Sequence, residues 1–165
     1  MYSLINRTKL TGSLLNKKPA ASANVRGSSG YPNIRGTVSF FEARGGVVVA
    51  AEFTGLPYSV GLCGDGILAF HIHEGRSCSG TAEDPFKDTG GHYNPGNCPH
   101  PQHAGDMPPL FVNKGRAFLA FMTDRFTVSE IIGRTVIVHA GRDDFTSQPS
   151  GNAGAKIACG EIKRG

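Results

Sequence analysis

Residues 75–112 constrain this chain more than any other stretch, because they run through Gly, Pro, Asn, Asp and Ser with little periodicity between segments that read as strands. A structureless run well beyond about 15 residues in a compact domain usually carries function or is held by something other than an apolar core. The fold that accepts it needs a cross-link, a ligated ion or both.

The flanking segments read as β-structure. "AASANV", "IRGTVSFFEA", "VVVAAEFTGL", "GILAFHIHE", "GRAFLAFMT", "RTVIVHA" and "AKIACGEI" are short β-prone runs bounded by turn residues, and "RGG" between the second and third predicts a hairpin. "FTVSEIIG" reads as a connection, and residues 140–155 form a second polar loop. There is no repeat, heptad or long amphipathic helix. The expected class is all-β: about eight antiparallel strands in a sandwich or barrel with two long functional loops. A chain of 165 residues fits one domain. Residues 1–18, polar and without periodicity, are expected to be a flexible N-terminal tail, and residues 19–165 the domain.

Composition narrows the partners. The formal charge is +4, but the basic residues are scattered apart from "NKKP" and "EIKRG". Without a basic stripe interleaved with aromatics, nucleic acid is not an expected partner. No apolar run is long enough to span a membrane, and the N-terminal segment lacks the apolar core of a signal peptide. The expectation is no membrane partner and, for the chain as written, a cytoplasmic location. The cysteines pull the other way: Cys63, Cys78, Cys98 and Cys159 allow two disulfides, which are unusual in a reducing cytosol.

The six histidines decide what the long loop does. In "FHIHE", strand alternation puts His71 and His73 on one face and Phe70 and Ile72 on the other. Within the loop, His92, His100, His103 and Asp106 follow one another at short spacing, the three imidazoles and one carboxylate of a closed tetrahedral zinc site. Ligation would also explain how so polar a loop becomes ordered. His71, His73 and His139, all on predicted strands, form an all-imidazole group that suits copper as well as zinc. His92 between two sites could give one ring nitrogen to each metal.

At these residues the chain resembles the copper/zinc superoxide dismutase family. The match covers "FHIHE", "GGHYNP", "HAGDMP", "GRTVIVHAGRDD" and "GNAGAKIACG", in that order. The resemblance implies a Greek-key β-sandwich or flattened barrel, an architecture these enzymes are known to share with other sandwiches. It implies His71, His73, His92 and His139 as copper ligands, and His92, His100, His103 and Asp106 as zinc ligands, with His92 shared. It further implies Asp143 as the carboxylate that orients a ligand of each metal; of the two adjacent acids, Asp144 is expected to stay in solvent. Cys78 and Cys159 match the family disulfide. Cys63 and Cys98 have no counterpart; a second bridge between them is one reading, and Cys98 as a soft zinc ligand beside His100 is the other.

The chain departs from the family pattern in three places. The segment between His100 and His103 is short, "HEGRSC" is abbreviated, and Lys156 stands where the family has an arginine, which keeps the charge but loses the planar two-donor fork. The implied activity is dismutation of superoxide to dioxygen and hydrogen peroxide, with copper and zinc as cofactors, His92 as proton carrier and Lys156 as the cation that draws the anion in. Lys156, together with a loop 140–155 that is short for the family and carries Arg142 but few other cations, predicts slower, still salt-sensitive catalysis. A non-catalytic copper/zinc-binding protein on the same fold is the alternative, and pairing as a homodimer is a further expectation.

Overall fold

The computed structural model describes residues 17–59 and 66–165. The tail expected over residues 1–18 therefore lies outside the described residues except for Lys17 and Lys18, both exposed. Nine strands are described: β1 (Ala21–Gly27), β2 (Arg35–Ala43), β3 (Gly46–Thr54), β4 (Ile67–Leu68), β5 (Phe70–His73), β6 (Leu110–Phe111), β7 (Ala117–Thr123), β8 (Thr135–His139) and β9 (Lys156–Arg164). Among the described residues one short α-helix, α1 (Val128–Ile131), is present, in the connection between β7 and β8. Its first turn is closed by the Glu130 carboxylate, which accepts from the Thr127 backbone N–H and hydroxyl, each at 2.7 Å.

Seven strands pair in the order β5-β8-β9-β1-β2-β3-β7, every pairing antiparallel. From β3 the chain crosses to β5 at the far edge, returns to β7 beside β3, and crosses again to β8. Those crossings are the Greek key. The short pair β4–β6 joins the two ends of the sheet, since β4 leads into β5 and β6 packs near β7. The result is the expected flattened barrel.

Side-chain alternation explains the layers. Along β3, Val47, Val49, Ala51 and Phe53 are buried and face Phe40, Phe70, Ile72, Val136, Val138 and Ile162 in one apolar core. On β7 the outward positions Phe118 and Met122 are 63% and 50% exposed. β5 and β8, by contrast, are buried at every position. Their inward side chains fill the core, while His71, His73, Ile137 and His139 point outward beneath the loops. Ile137 packs there against Phe86 and the Cys78–Cys159 pair.

Two details differ from the strand expectations. "GILAFHIHE" is split at Ala69, whose N–H donates to Gly141 O (2.7 Å) and whose carbonyl accepts from His139 N (2.9 Å), at the bulge between Val138 and His139. The long loop also contains a 3-10 turn at Lys87–Thr89 and the strand β6. No helix among the described residues is long and apolar enough to cross a membrane.

Candidate metal centre

The outward face of β5 becomes a site because the loop pairs with it. β5 is an edge strand of the large sheet, and its free side is taken by loop residues: Ile72 N donates to Gly105 O (2.9 Å), Tyr93 N to Ile72 O (2.8 Å), and Glu74 N to Gly91 O (2.9 Å). Isolated bridges pair His73 with His92 and His71 with Asp106. Backbone pairing thus sets four chemically active side chains side by side. Gly105 is needed at that junction, because a Cβ there would collide with the Ile72 carbonyl. Across the sheet, the bulge at Val138/His139 turns the His139 ring toward the same point.

Two groups result. His71, His73, His92 and His139 form one, and His92, His100, His103 and Asp106 the other; in each, one ligand atom per residue lies within 4.8 Å of all the others. All six imidazoles are buried, and only His92 belongs to both groups. Among the described residues, no aspartate or cysteine enters the first group. Cys98 enters neither; its exposed thiol is bonded to no other cysteine among the described residues, with Sγ 3.7 Å from Gly96 O. The second bridge considered for it would involve Cys63, which lies outside the described residues.

Each ring has an outer partner that fixes its orientation. His73 Nδ1 donates to Gly90 O (2.9 Å) and His139 Nδ1 to Gly154 O (3.2 Å), which leaves their Nε2 atoms 3.2 Å apart and facing each other. His71 Nε2 and His100 Nε2 donate to the two oxygens of Asp143, at 2.8 and 2.9 Å. One carboxylate therefore holds a ring of each group. Their remaining nitrogens, His71 Nδ1 and His100 Nδ1, are buried without a hydrogen-bond partner among the described residues, as is His92 Nε2. His100 Nδ1 stands 3.1 Å from Asp106 Oδ2 in a geometry that makes no hydrogen bond, the approach expected of two ligands aimed at one point. Orphaned, buried ring nitrogens are costly unless a cation completes them. The donor set fits metal ions.

Electrostatics favour ligation too. Burial holds the His71 pKa below its ordinary value, holds that of His73 well below it, and brings that of His139 down to about 3, with neighbouring imidazoles adding to the effect. His103 is lowered mainly by desolvation as well. These rings are neutral, as ligands must be. Burial alone would raise Asp106, but the hydrogen bond from His92 and the neighbouring His92, His100 and His103 rings together outweigh that and lower the carboxyl below its ordinary value. For Asp143 burial likewise acts upward, and hydrogen bonds from His71, Phe145 N–H and His100 reverse it. Asp144 is exposed and caps its own turn, accepting from the Ser147 hydroxyl (2.6 Å) and from the Ser147 and Thr146 N–H groups.

Cys78 and Cys159 are joined by a disulfide that ties the loop after β5 to β9. Lys156, at the start of β9, donates from Nζ to Phe86 O and Gly90 O, both at 3.2 Å. Gly90 O thus serves Lys156 and His73 together, which places the ammonium beside the all-histidine group. Two further residues support the loop and had no signal in spacing or pattern: Arg125, whose guanidinium donates to Pro101 O (3.0 Å) and His103 O (3.3 Å), and Gln148, which grips His100.

A Greek-key β-barrel that gathers two histidine-rich groups around one common imidazole defines a protein built to hold a pair of metal ions. Comparison with known proteins identifies which kind. The family model "copper/zinc superoxide dismutase" matches residues 34–162. "Superoxide dismutase [Cu-Zn] 2" of Aquifex aeolicus is 32% identical, over 93% of this chain and 96% of the relative. "Superoxide dismutase [Cu-Zn]" of Deinococcus radiodurans is 30% identical, over 87% and 84%. Among solved structures, a double mutant of a SOD-like protein from Bacillus subtilis matches with a TM-score of 0.68 and 28% identity, over 84% of this chain and 94% of that one. The chain belongs to the copper/zinc superoxide dismutase family.

Proposed function

We propose that this chain converts superoxide to dioxygen and hydrogen peroxide, with copper held by His71, His73, His92 and His139, zinc by His92, His100, His103 and Asp106, and His92 shared. The observation that carries this reading is the arrangement of His92. Its Nδ1 lies 2.7 Å from Asp106 Oδ1 and 3.4 Å from His103 Nδ1, while its Nε2 is buried and unpartnered among the described residues on the other side of the ring. One imidazole thus offers a nitrogen to each group.

A bound copper ion supplies the one-electron oxidation and reduction that dismutation needs. The chain's residues supply the rest. Asp143, Gly90 O and Gly154 O fix the ring orientations so that the donor atoms are preorganised. Three imidazoles and the Asp106 carboxylate make the second group closed and structural, and it anchors His92 from the Nδ1 side. His92 Nε2 is the position at which a proton would be carried toward the leaving peroxide. Lys156, beside the all-histidine group through Gly90 O, attracts the anionic substrate.

Superoxide removal measured on copper- and zinc-loaded, zinc-only and metal-free protein tests the reading. Activity is expected only with copper present; a fully loaded protein without activity would sink it and leave a metal-binding protein on the same fold. Pairing as a homodimer belongs to the same reading, supported by the exposed Phe118 and Met122 on the outward face of β7; sedimentation velocity checks it. The cytoplasmic location expected for the chain as written stands against the Cys78–Cys159 bond, which oxidising surroundings favour. Fractionation of host cells decides between the two.

A further inference from the structure

His100 is gripped at both its ring and its backbone by one loop. Its N–H donates to Gln148 Oε1 (3.0 Å) and its carbonyl accepts from Gln148 Nε2 (2.7 Å), so a single primary amide pairs with the residue's main chain as a neighbouring strand would. Its ring meets Asp143 of the same loop. That loop is stiff where it presents Gln148. Asp144 accepts from the N–H groups of Thr146 and Ser147, Gly151 N donates to Ser147 O (2.7 Å), and Asp144 N to Gly151 O (2.9 Å). Gly151, at φ +68°, lies so close that any Cβ would collide with the Asp143 carboxylate and crowd the His100 ring.

The grip falls where the metal loop can least hold itself. Only Pro101 and Gln102 separate His100 from His103, and within that turn the described backbone bonds are Gln102 N to Pro99 O and Asp106 N to His103 O. Neither engages the N–H or the carbonyl of His100 itself. From the other side Arg125 holds Pro101 O and His103 O, so the turn hangs between two side chains from separate loops.

We propose that Gln148 is a positioning residue for zinc: it sets the backbone of His100 and thereby the aim of His100 Nδ1, and it couples occupancy of the zinc group to the order of residues 144–152. The inference rests on the assignment of His100 to zinc. Coupling of this kind is reciprocal, so zinc tightens the loop by the same factor by which the ordered loop tightens zinc. Copper, whose group does not contain His100, is affected far less.

The test uses the full chain with Gln148→Leu, which removes both bonds at similar size, and Gln148→Glu, which keeps an acceptor for the His100 N–H but loses the donor to its carbonyl. Zinc and copper affinities are measured by chelator competition, the geometry of the zinc group by the d–d spectrum of cobalt(II) placed there, and the fold by the metal-free NMR spectrum. The expected result is a loss of zinc affinity of about 10- to 100-fold in the leucine variant and a smaller loss in the glutamate variant. The cobalt bands should shift, copper affinity should stay within about threefold, and zinc should slow hydrogen exchange over residues 144–152 less than in the parent. Wild-type zinc affinity with an unshifted cobalt spectrum in the leucine variant overturns the proposal. So do zinc and copper affinities that fall by the same factor, the mark of general loosening. A His100→Ala protein with unchanged zinc affinity instead overturns the site assignment on which the proposal stands.

Discussion

Replacing Asp143 by asparagine should separate the two metals, because an amide cannot do on both sides what a carboxylate does. Asp143 Oδ1 accepts from His100 Nε2 at 2.9 Å and from Phe145 N at 2.7 Å, while Oδ2 accepts from His71 Nε2 at 2.8 Å. An asparagine oxygen placed at the Oδ1 position satisfies two donors and at the Oδ2 position only one, so it takes the former. Its NH2 group then faces His71 Nε2–H, donor against donor, in a buried place where an unmatched donor costs about 1–3 kcal/mol. His71 escapes by moving its proton to Nδ1, the nitrogen that should ligate. Either route weakens the all-histidine group by about 10- to 100-fold, or roughly 1.4 to 2.7 kcal/mol. The zinc group should change by less than about threefold, while Asp143→Ala should weaken both. Chelator competition for each metal on the variants provides the measurement. An asparagine variant that loses zinc and keeps copper, or that binds both as the parent does, would refute the reasoning.

Cys78→Ser opens a cross-link between residues 81 apart, and chain entropy predicts a loss of roughly 4 to 5 kcal/mol in urea unfolding under oxidising conditions; a loss below about 1 kcal/mol contradicts that. Lys156→Glu should lower the superoxide removal rate by about tenfold at low salt and flatten its salt dependence, since steering of this kind is known in superoxide dismutases; an unchanged rate and salt response would remove Lys156 from the substrate path. In metal-free protein, His71, His73 and His139 titrate below the ordinary imidazole value in the folded state, His139 down to about 3. The unfolded chain binds more protons over that interval, so stability is full above about pH 6.5 and declines as pH falls toward 3. Thermal melts between pH 7.5 and 4.5 should show a falling midpoint, less steep with metals bound; a flat profile would count against the buried, neutral imidazoles.

The strands were legible because their apolar positions alternate and their turns carry Gly, Pro and Asn. The same period-2 rule put His71 and His73 on one face, and short spacing grouped His92, His100, His103 and Asp106. What spacing could not supply was which nitrogen of each ring turns inward. That choice depends on Gly90 O and Gly154 O, backbone acceptors that any sequence possesses, and on Asp143, which was indicated by family likeness alone. The split at Ala69 was invisible for a similar reason: it follows from the bulge at Val138/His139 and from pairing with Gly141, both long-range. Gln148 and Arg125 act by reaching the main chain of residues remote in sequence, so no local pattern announces them.

The loop that lies along β5 also acts as a guard. Without it, a sheet border of unpaired peptide groups would face outward, ready to template a strand from another molecule. Ions and the Cys78–Cys159 cross-link are the fastenings of that guard, so stripping both should convert a well-behaved surface into a sticky one, with thioflavin-positive aggregates forming from stripped, reduced protein and not from the loaded, oxidised form. The chemistry that equips this fold for electron transfer thus also shields one of its two open seams.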